Sequence, residues 1–141
     1  MYGKEKKKIF TNGCFDIIHR GHLELLRHCK SLGYVVVGVN TDNSVRGLKG
    51  PERPFFSQQD RRFMLESIKY VDEVHFFDEE TPYNLIKKVK PDIIVKGGDY
   101  KPEDVVGSDL CEVRIFNYLD GYSTTNVLKG IKNDRQEDIC F

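Results

Sequence analysis

Tryptophan is absent from this chain of 141 residues, and methionine occurs only twice. No apolar run approaches the length of a membrane span or of a signal-peptide core, so no membrane partner is expected and the compartment read from the sequence is the cytoplasm. An excess of one charge is lacking too. Lys plus Arg and Asp plus Glu both number 22, giving a net charge of zero and no global basic field for a nucleic-acid partner. The one basic block, Lys4 to Lys8, reads as a solvated segment. Four cysteines, Cys14, Cys29, Cys111 and Cys140, lie far apart and form no pair at metal-ligand spacing, which argues against a zinc site and fits a reducing compartment.

What is present is an alternation of short β-branched runs and amphipathic segments. Lys8 to Thr11 reads as a strand, and Gly13 opens a turn. A helix is predicted from about Gly21 to Leu32, with Leu23, Leu25, Leu26 and Cys29 on its apolar face and Gly33 ending it. Tyr34 to Asn40 is apolar on both faces, as an interior parallel strand requires. Thr41 to Gln59, with Gly47, Gly50, Pro51 and Pro54, reads as a long loop over the sheet edge. A helix over Ser57 to Lys69 follows, with Phe63, Met64 and Ile68 inward and Ser57 as N-cap. Glu73 to Phe77, Ile93 to Lys96 and Glu112 to Asn117 read as strands, Pro82 to Val89 as a helix, and Ser123 or Thr124 as the cap of a last helix. The fold class is therefore α/β: a Rossmann-like, open, mainly parallel five-stranded sheet with helices on both faces. One domain, residues 1–132, is expected ahead of a polar tail, 133–141.

Ligands in such sheets bind beyond the carboxyl ends of the strands. His19-Arg20-Gly21-His22 falls there, after a strand and a glycine turn and at the start of a helix. Gly21 lets an anion approach the backbone, the free amides of the helix terminus favour negative charge, and two imidazoles can add ring N–H donors. A pair of surface histidines could arise by chance, but strand, turn, motif and helix come in order. No Ser-His-Asp or Cys-His arrangement is readable, so the chemistry indicated needs no protein nucleophile.

The segment Thr11-Asn12-Gly13-Cys14-Phe15-Asp16-Ile17-Ile18-His19-Arg20-Gly21-His22 resembles the signature of the cytidylyltransferase-like nucleotidyltransferases. Asn40 to Pro54, Asp60-Arg61, Val95 to Tyr100 and Gly121-Tyr122-Ser123-Thr124-Thr125 are similar to one branch, the adenylyltransferase module of ADP-heptose synthase. The resemblance implies transfer of AMP from ATP to a sugar 1-phosphate, D-glycero-D-manno-heptose 1-phosphate in that branch, with release of pyrophosphate. It implies catalytic roles for His19, His22 and Lys49. Nucleotide contact is implied for Asn12, Gly13, Cys14, Phe15, Asp16 and Gly21, for Lys96, Gly98 and Asp99 after a later strand, and for Ser123, Thr124 and Thr125. Asp16 would orient its loop or a metal-bound water. Lys49, Arg53 and Arg61 are the candidates for substrate phosphate, although either arginine could equally form a surface ion pair. Mg²⁺ would be bound mainly through the triphosphate, because no carboxylate cage is readable.

Two positions depart from related patterns. Tyr122 stands where heptose enzymes commonly have cysteine, and Tyr118 where glycerol-phosphate cytidylyltransferases have arginine. The second difference argues against the nearest alternative, a CTP-using enzyme for glycerol 3-phosphate. A non-catalytic nucleotide-binding module is the alternative of another class. The branch is often fused to a sugar kinase that these 141 residues do not contain, so a separate kinase is expected upstream, and group members are commonly homodimers.

Overall fold

The computed structural model describes residues 6–117. The expected last helix, the polar tail, Tyr118, Tyr122, Cys140 and the candidate anion site Ser123-Thr124-Thr125 lie outside the described residues. Five strands form one sheet: β1 (Lys8–Gly13), β2 (Tyr34–Asn40), β3 (Glu73–Phe77), β4 (Ile93–Gly97) and β5 (Glu112–Phe116). Their spatial order is β3-β2-β1-β4-β5, and every pairing is parallel.

Alternation along the strands sends side chains to two cores. Ile9, Val35, Val37, Ile93 and Val95 pack with Leu25, Leu26 and Cys29 of helix α1 (Arg20–Leu32) and with Leu65 of helix α3 (Gln58–Glu66). Their neighbours Phe10, Val36 and Ile94 pack on the other face with Ile86 of helix α4 (Tyr83–Val89) and with Val105. Both faces of the sheet are thus covered, and each fully buried aliphatic side chain contributes roughly 1.5–3 kcal/mol. Gly33 between α1 and β2 is fixed by close approach, since a Cβ there would lie 2.1 Å from the Lys7 carbonyl oxygen. No helix among the described residues is long and apolar enough to cross a membrane.

Three sequence expectations are corrected. The long loop is replaced at its start by helix α2 (Asp42–Lys49), so that only residues 50–57 connect α2 to α3. Thr41 caps α2 by accepting from the Ser44 amide, Ser44 and Val45 are buried, and Gly50 ends it at a φ of 102°. Phe63 is not inward: it is 72% exposed, because Arg61 and Leu65 occupy the buried stripe of α3. Leu23 lies outside the apolar face of α1, at 37% exposed. Ser57 does cap α3, as its sequence position suggested.

The strand order creates one topological switch. From β1 the chain moves outward to β2 and β3, then crosses back to place β4 on the other side of β1. The connections leaving β1 and β4 diverge there, opening a crevice above their carboxyl ends.

Candidate active site at the switch between β1 and β4

Beyond Gly13 the chain turns sharply through Phe15, whose φ of 47° is unusual for a bulky residue. Burial holds the strained residue in place. The Phe15 ring is 4% exposed and packs at 5.1 Å on His22, while a Cβ at Gly13 would press to 3.2 Å from it. The turn delivers His19 to the N-cap of α1.

The two histidines cap the helix for each other. The Gly21 amide donates to His19 Nδ1 at 3.0 Å, and the His19 amide donates to His22 Nδ1 at 3.2 Å. Their rings stack with centroids 3.9 Å apart. A nitrogen that accepts carries no proton, so each neutral ring bears its hydrogen on Nε2, left over as a donor for an anion. Burial lowers the pKa of His19, and burial, His19 and Lys49 together push His22 down to about 3. The pair can therefore present two neutral N–H groups, and protonating either ring at Nδ1 would remove a cap.

This coupling predicts a pH effect on stability. With a folded pKa below the ordinary 6.5, His22 takes up a proton more readily unfolded than folded, so its contribution is complete above about pH 6.5 and declines as pH falls toward 3. Thermal melts between pH 7 and 5 should show a falling midpoint in the wild type and a flatter profile in His22→Gln, which can still accept at the third helical position. Parallel profiles would refute the assignment.

Two buried ionic groups fix the surroundings. Asp16, 2% exposed, accepts from the Phe55 and Phe56 amides and from Arg53 Nε at 2.9 Å. It thus anchors the 50–57 segment, and its carboxylate is not open to a metal-bound water. Arg61 is wholly buried: it donates to the carbonyls of Phe56, Cys14 and Asn40 and pairs with Asp42 at 2.8 Å. Its expected role as a phosphate contact is corrected, since the guanidinium is spent on backbone carbonyls. Arg53 retains access to the crevice beside its pairing with Asp16.

The crevice encloses about 480 Å³. Asn12, Gly13, Cys14, Phe15, Asp16, His22, Lys49, Arg53 and Lys96 line it, so one space gathers most of the residues selected from sequence. Lys49 sits on the last turn of α2 rather than on a free loop. Neither Lys49 nor Lys96 has a carboxylate within ion-pair reach among the described residues. Burial lowers the pKa of half-buried Lys96, whose ammonium lies 5.1 Å from the Tyr100 ring centre. Burial likewise raises the pKa of the Cys14 thiol, which argues for a packed wall and against a nucleophile. Gly98, at a φ of 110°, and exposed Asp99 follow β4 outside the lining, and His19 and Gly21 are not part of the lining either, although the His19 ring stacks on that of His22. Asn40, Leu48 and Tyr100, which fall in the segments that carry the resemblance, line the space as well, whereas the sequence reading missed Glu80, Thr81, Pro82 and Asp104 to Val106. Those missed residues lie in the connections after β3 and β4.

Residues 10–136 match the cytidylyltransferase-like family model. The bifunctional protein HldE of Campylobacter concisus is 52% identical over 136 residues, covering 95% of this chain and 29% of that protein. HldE of Helicobacter pylori J99 is 47% identical over 135 residues, covering 94% and 29%. The chain therefore spans less than a third of the length of these curated relatives. A lipopolysaccharide core biosynthesis protein from Thermoplasma volcanium superposes with a TM-score of 0.68 at 27% identity, covering 83% of this chain and 98% of that one. Pantothenate synthetase from Thermus thermophilus, at 19% identity and a TM-score of 0.58 over 89% of this chain and 65% of that one, shares the fold.

Proposed function

Because the chain belongs to the cytidylyltransferase-like family, we propose that it transfers AMP from ATP to D-glycero-D-manno-heptose 1-phosphate, releasing pyrophosphate and forming ADP-heptose. The observation that carries this reading is the crevice at the β1/β4 switch, where His22, Lys49 and Lys96 offer donors and uncompensated positive charge. The likeness to proteins named HldE and to a lipopolysaccharide core biosynthesis protein supports the heptose acceptor.

In the proposed reaction a phosphate oxygen of the acceptor attacks the α-phosphorus of ATP. The bond from that phosphorus to the oxygen bridging the β-phosphate breaks, and pyrophosphate departs. His19 and His22 donate from Nε2 to phosphate oxygens as charge develops, at no cost in deprotonation because the rings are already neutral. Lys49 and Lys96 hold the acceptor phosphate and the triphosphate together, so that attack becomes intramolecular in effect. Gly98 and Asp99 contact the nucleoside, and Ser123, Thr124 and Thr125 complete the triphosphate cradle. Mg²⁺, held mainly by the triphosphate itself, would supply charge neutralisation on the phosphates. Asp16 is already engaged, and no cluster of three or more His, Cys, Asp or Glu among the described residues is placed to hold a cation alone. A sugar kinase supplies the acceptor, and the active form is a homodimer.

Pyrophosphate release measured with ATP or CTP, each paired with heptose 1-phosphate or glycerol 3-phosphate, tests the assignment. ATP with the heptose phosphate should give the highest kcat/KM. A preference for CTP, or nucleotide binding without pyrophosphate release, would sink it.

A further inference from the structure

Asn40 ends β2 and lines the crevice while being only 3% exposed. So deeply buried an amide is held by its partners. The Asn40 main-chain carbonyl accepts from Arg61 at 2.7 Å. Its side-chain Nδ2 donates to Oγ of buried Ser44 at 3.0 Å, and the Ser44 hydroxyl in turn donates to the Glu79 carbonyl at 2.8 Å. A hydroxyl has one hydrogen. Because Ser44 gives its own to Glu79, the Ser44 oxygen can only accept from Asn40, and this settles which end of the amide faces helix α2.

The other end, Oδ1, has no hydrogen-bond partner among the described residues. Among them the one side-chain polar atom both sealed from solvent and unpartnered is Thr11 Oγ1, so Asn40 Oδ1 is not sealed and opens to the crevice that Asn40 lines. A carbonyl oxygen can only accept, and an ionised phosphate offers no hydrogen to it. Its occupant therefore brings an O–H or N–H. The strand order β2-β1-β4, with neighbours about 5 Å apart, sets the end of β2 about 10 Å from that of β4. Gly98 and Asp99, the proposed nucleoside contacts, follow β4, whereas β2 leads into α2 and Lys49. The group that reaches Asn40 thus belongs to the acceptor, whose phosphate Lys49 attracts and whose sugar carries the hydroxyls.

We infer that Asn40 is an acceptor-recognition residue: its Oδ1 accepts a hydrogen bond from one hydroxyl of the sugar phosphate, and Ser44 is the positioning residue that keeps it turned to the crevice. The inference rests on the proposed adenylyl transfer and adds a determinant of the acceptor within it. An acceptor lacking that hydroxyl would leave the buried carbonyl unpaired, so the site rejects it more strongly than an apolar pocket rejects a missing methylene. Without Ser44 nothing fixes which end of the amide faces the crevice, so recognition weakens without being lost.

Steady-state pyrophosphate release by the full chain, with ATP and either D-glycero-D-manno-heptose 1-phosphate or its monodeoxy analogues, tests this. The wild type should lose about tenfold in kcat/KM with one of the analogues. Asn40→Ala should raise KM for the complete sugar phosphate about tenfold, leave KM for ATP unchanged, and use that same analogue as well as the complete sugar. Ser44→Ala keeps Asn40 in place and should show the same pattern at about threefold. It decides the matter if thermal melts show Asn40→Ala to be unfolded. A rise in KM for ATP in place of the acceptor's overturns the inference, as does discrimination among the analogues that stays as in the wild type. A wild type that releases no pyrophosphate from ATP and the heptose phosphate refutes the adenylyl transfer itself, on which the role of Asn40 depends.

Discussion

Arg61→Met is expected to lower the free energy of unfolding by about 3–5 kcal/mol, the usual penalty for removing one partner from a buried, fully bonded ionic group. Methionine fills much of the volume, so the loss would be polar. The carbonyls of Cys14, Asn40 and Phe56 would lose their donor and Asp42 its counter-charge. Urea denaturation reads this effect directly. Activity should fall as well, since those carbonyls belong to three chain segments that border the crevice. Arg61→Lys should recover little, because a single ammonium cannot span donors set by a planar fork. A variant of nearly wild-type stability whose KM for ATP or acceptor had risen would restore Arg61 to the phosphate contacts.

His22→Ala carries the second large effect. Loss of one well-placed donor to developing charge should reduce kcat by about a hundredfold, and loss of the reciprocal cap should cost about 1 kcal/mol. His22→Gln separates the two. Its carbonyl can accept from the His19 amide in place of Nδ1, so stability should return while kcat remains depressed at least about tenfold. Rate and melting temperature measured on both variants decide the question: parallel recovery of both would make His22 a helix cap without a part in the chemistry.

Much of this architecture is legible in the residues themselves. Tyr34 to Asn40 could only be an interior strand, and the histidine motif at a helix start marked the anion site. Helix α2 escaped because Gly47, Gly50 and Pro51 read as loop punctuation, although Thr41 as cap, Val45 and Leu48 three residues apart, and Arg46 and Lys49 in the last turn carried a weak helical signal. Phe63 was misplaced for a related reason. Apolar character suggested burial, yet Arg61 and Leu65, four residues apart, define the inner stripe of α3. No pattern announces a buried arginine, because its burial depends on carbonyls contributed by distant segments. Part of the crevice lining was hidden for the same cause: Glu80 and Asp104 belong to two separate connections, after β3 and after β4, which only the strand order of the sheet brings to one space.

The ties made by Asp16 and Arg61 run mostly to main-chain atoms: the amides of Phe55 and Phe56 and the carbonyls of Cys14, Asn40 and Phe56. A bond to a peptide group is indifferent to the side chain that group carries. The frame therefore constrains the spacing of these segments far more than their composition, and insertions or deletions between Asp42 and Arg61 should be tolerated less well than substitutions at Cys14 or Phe55. Such a frame leaves an evolving lineage free to exchange crevice-facing side chains, and with them its substrates, while the scaffold beneath stays put.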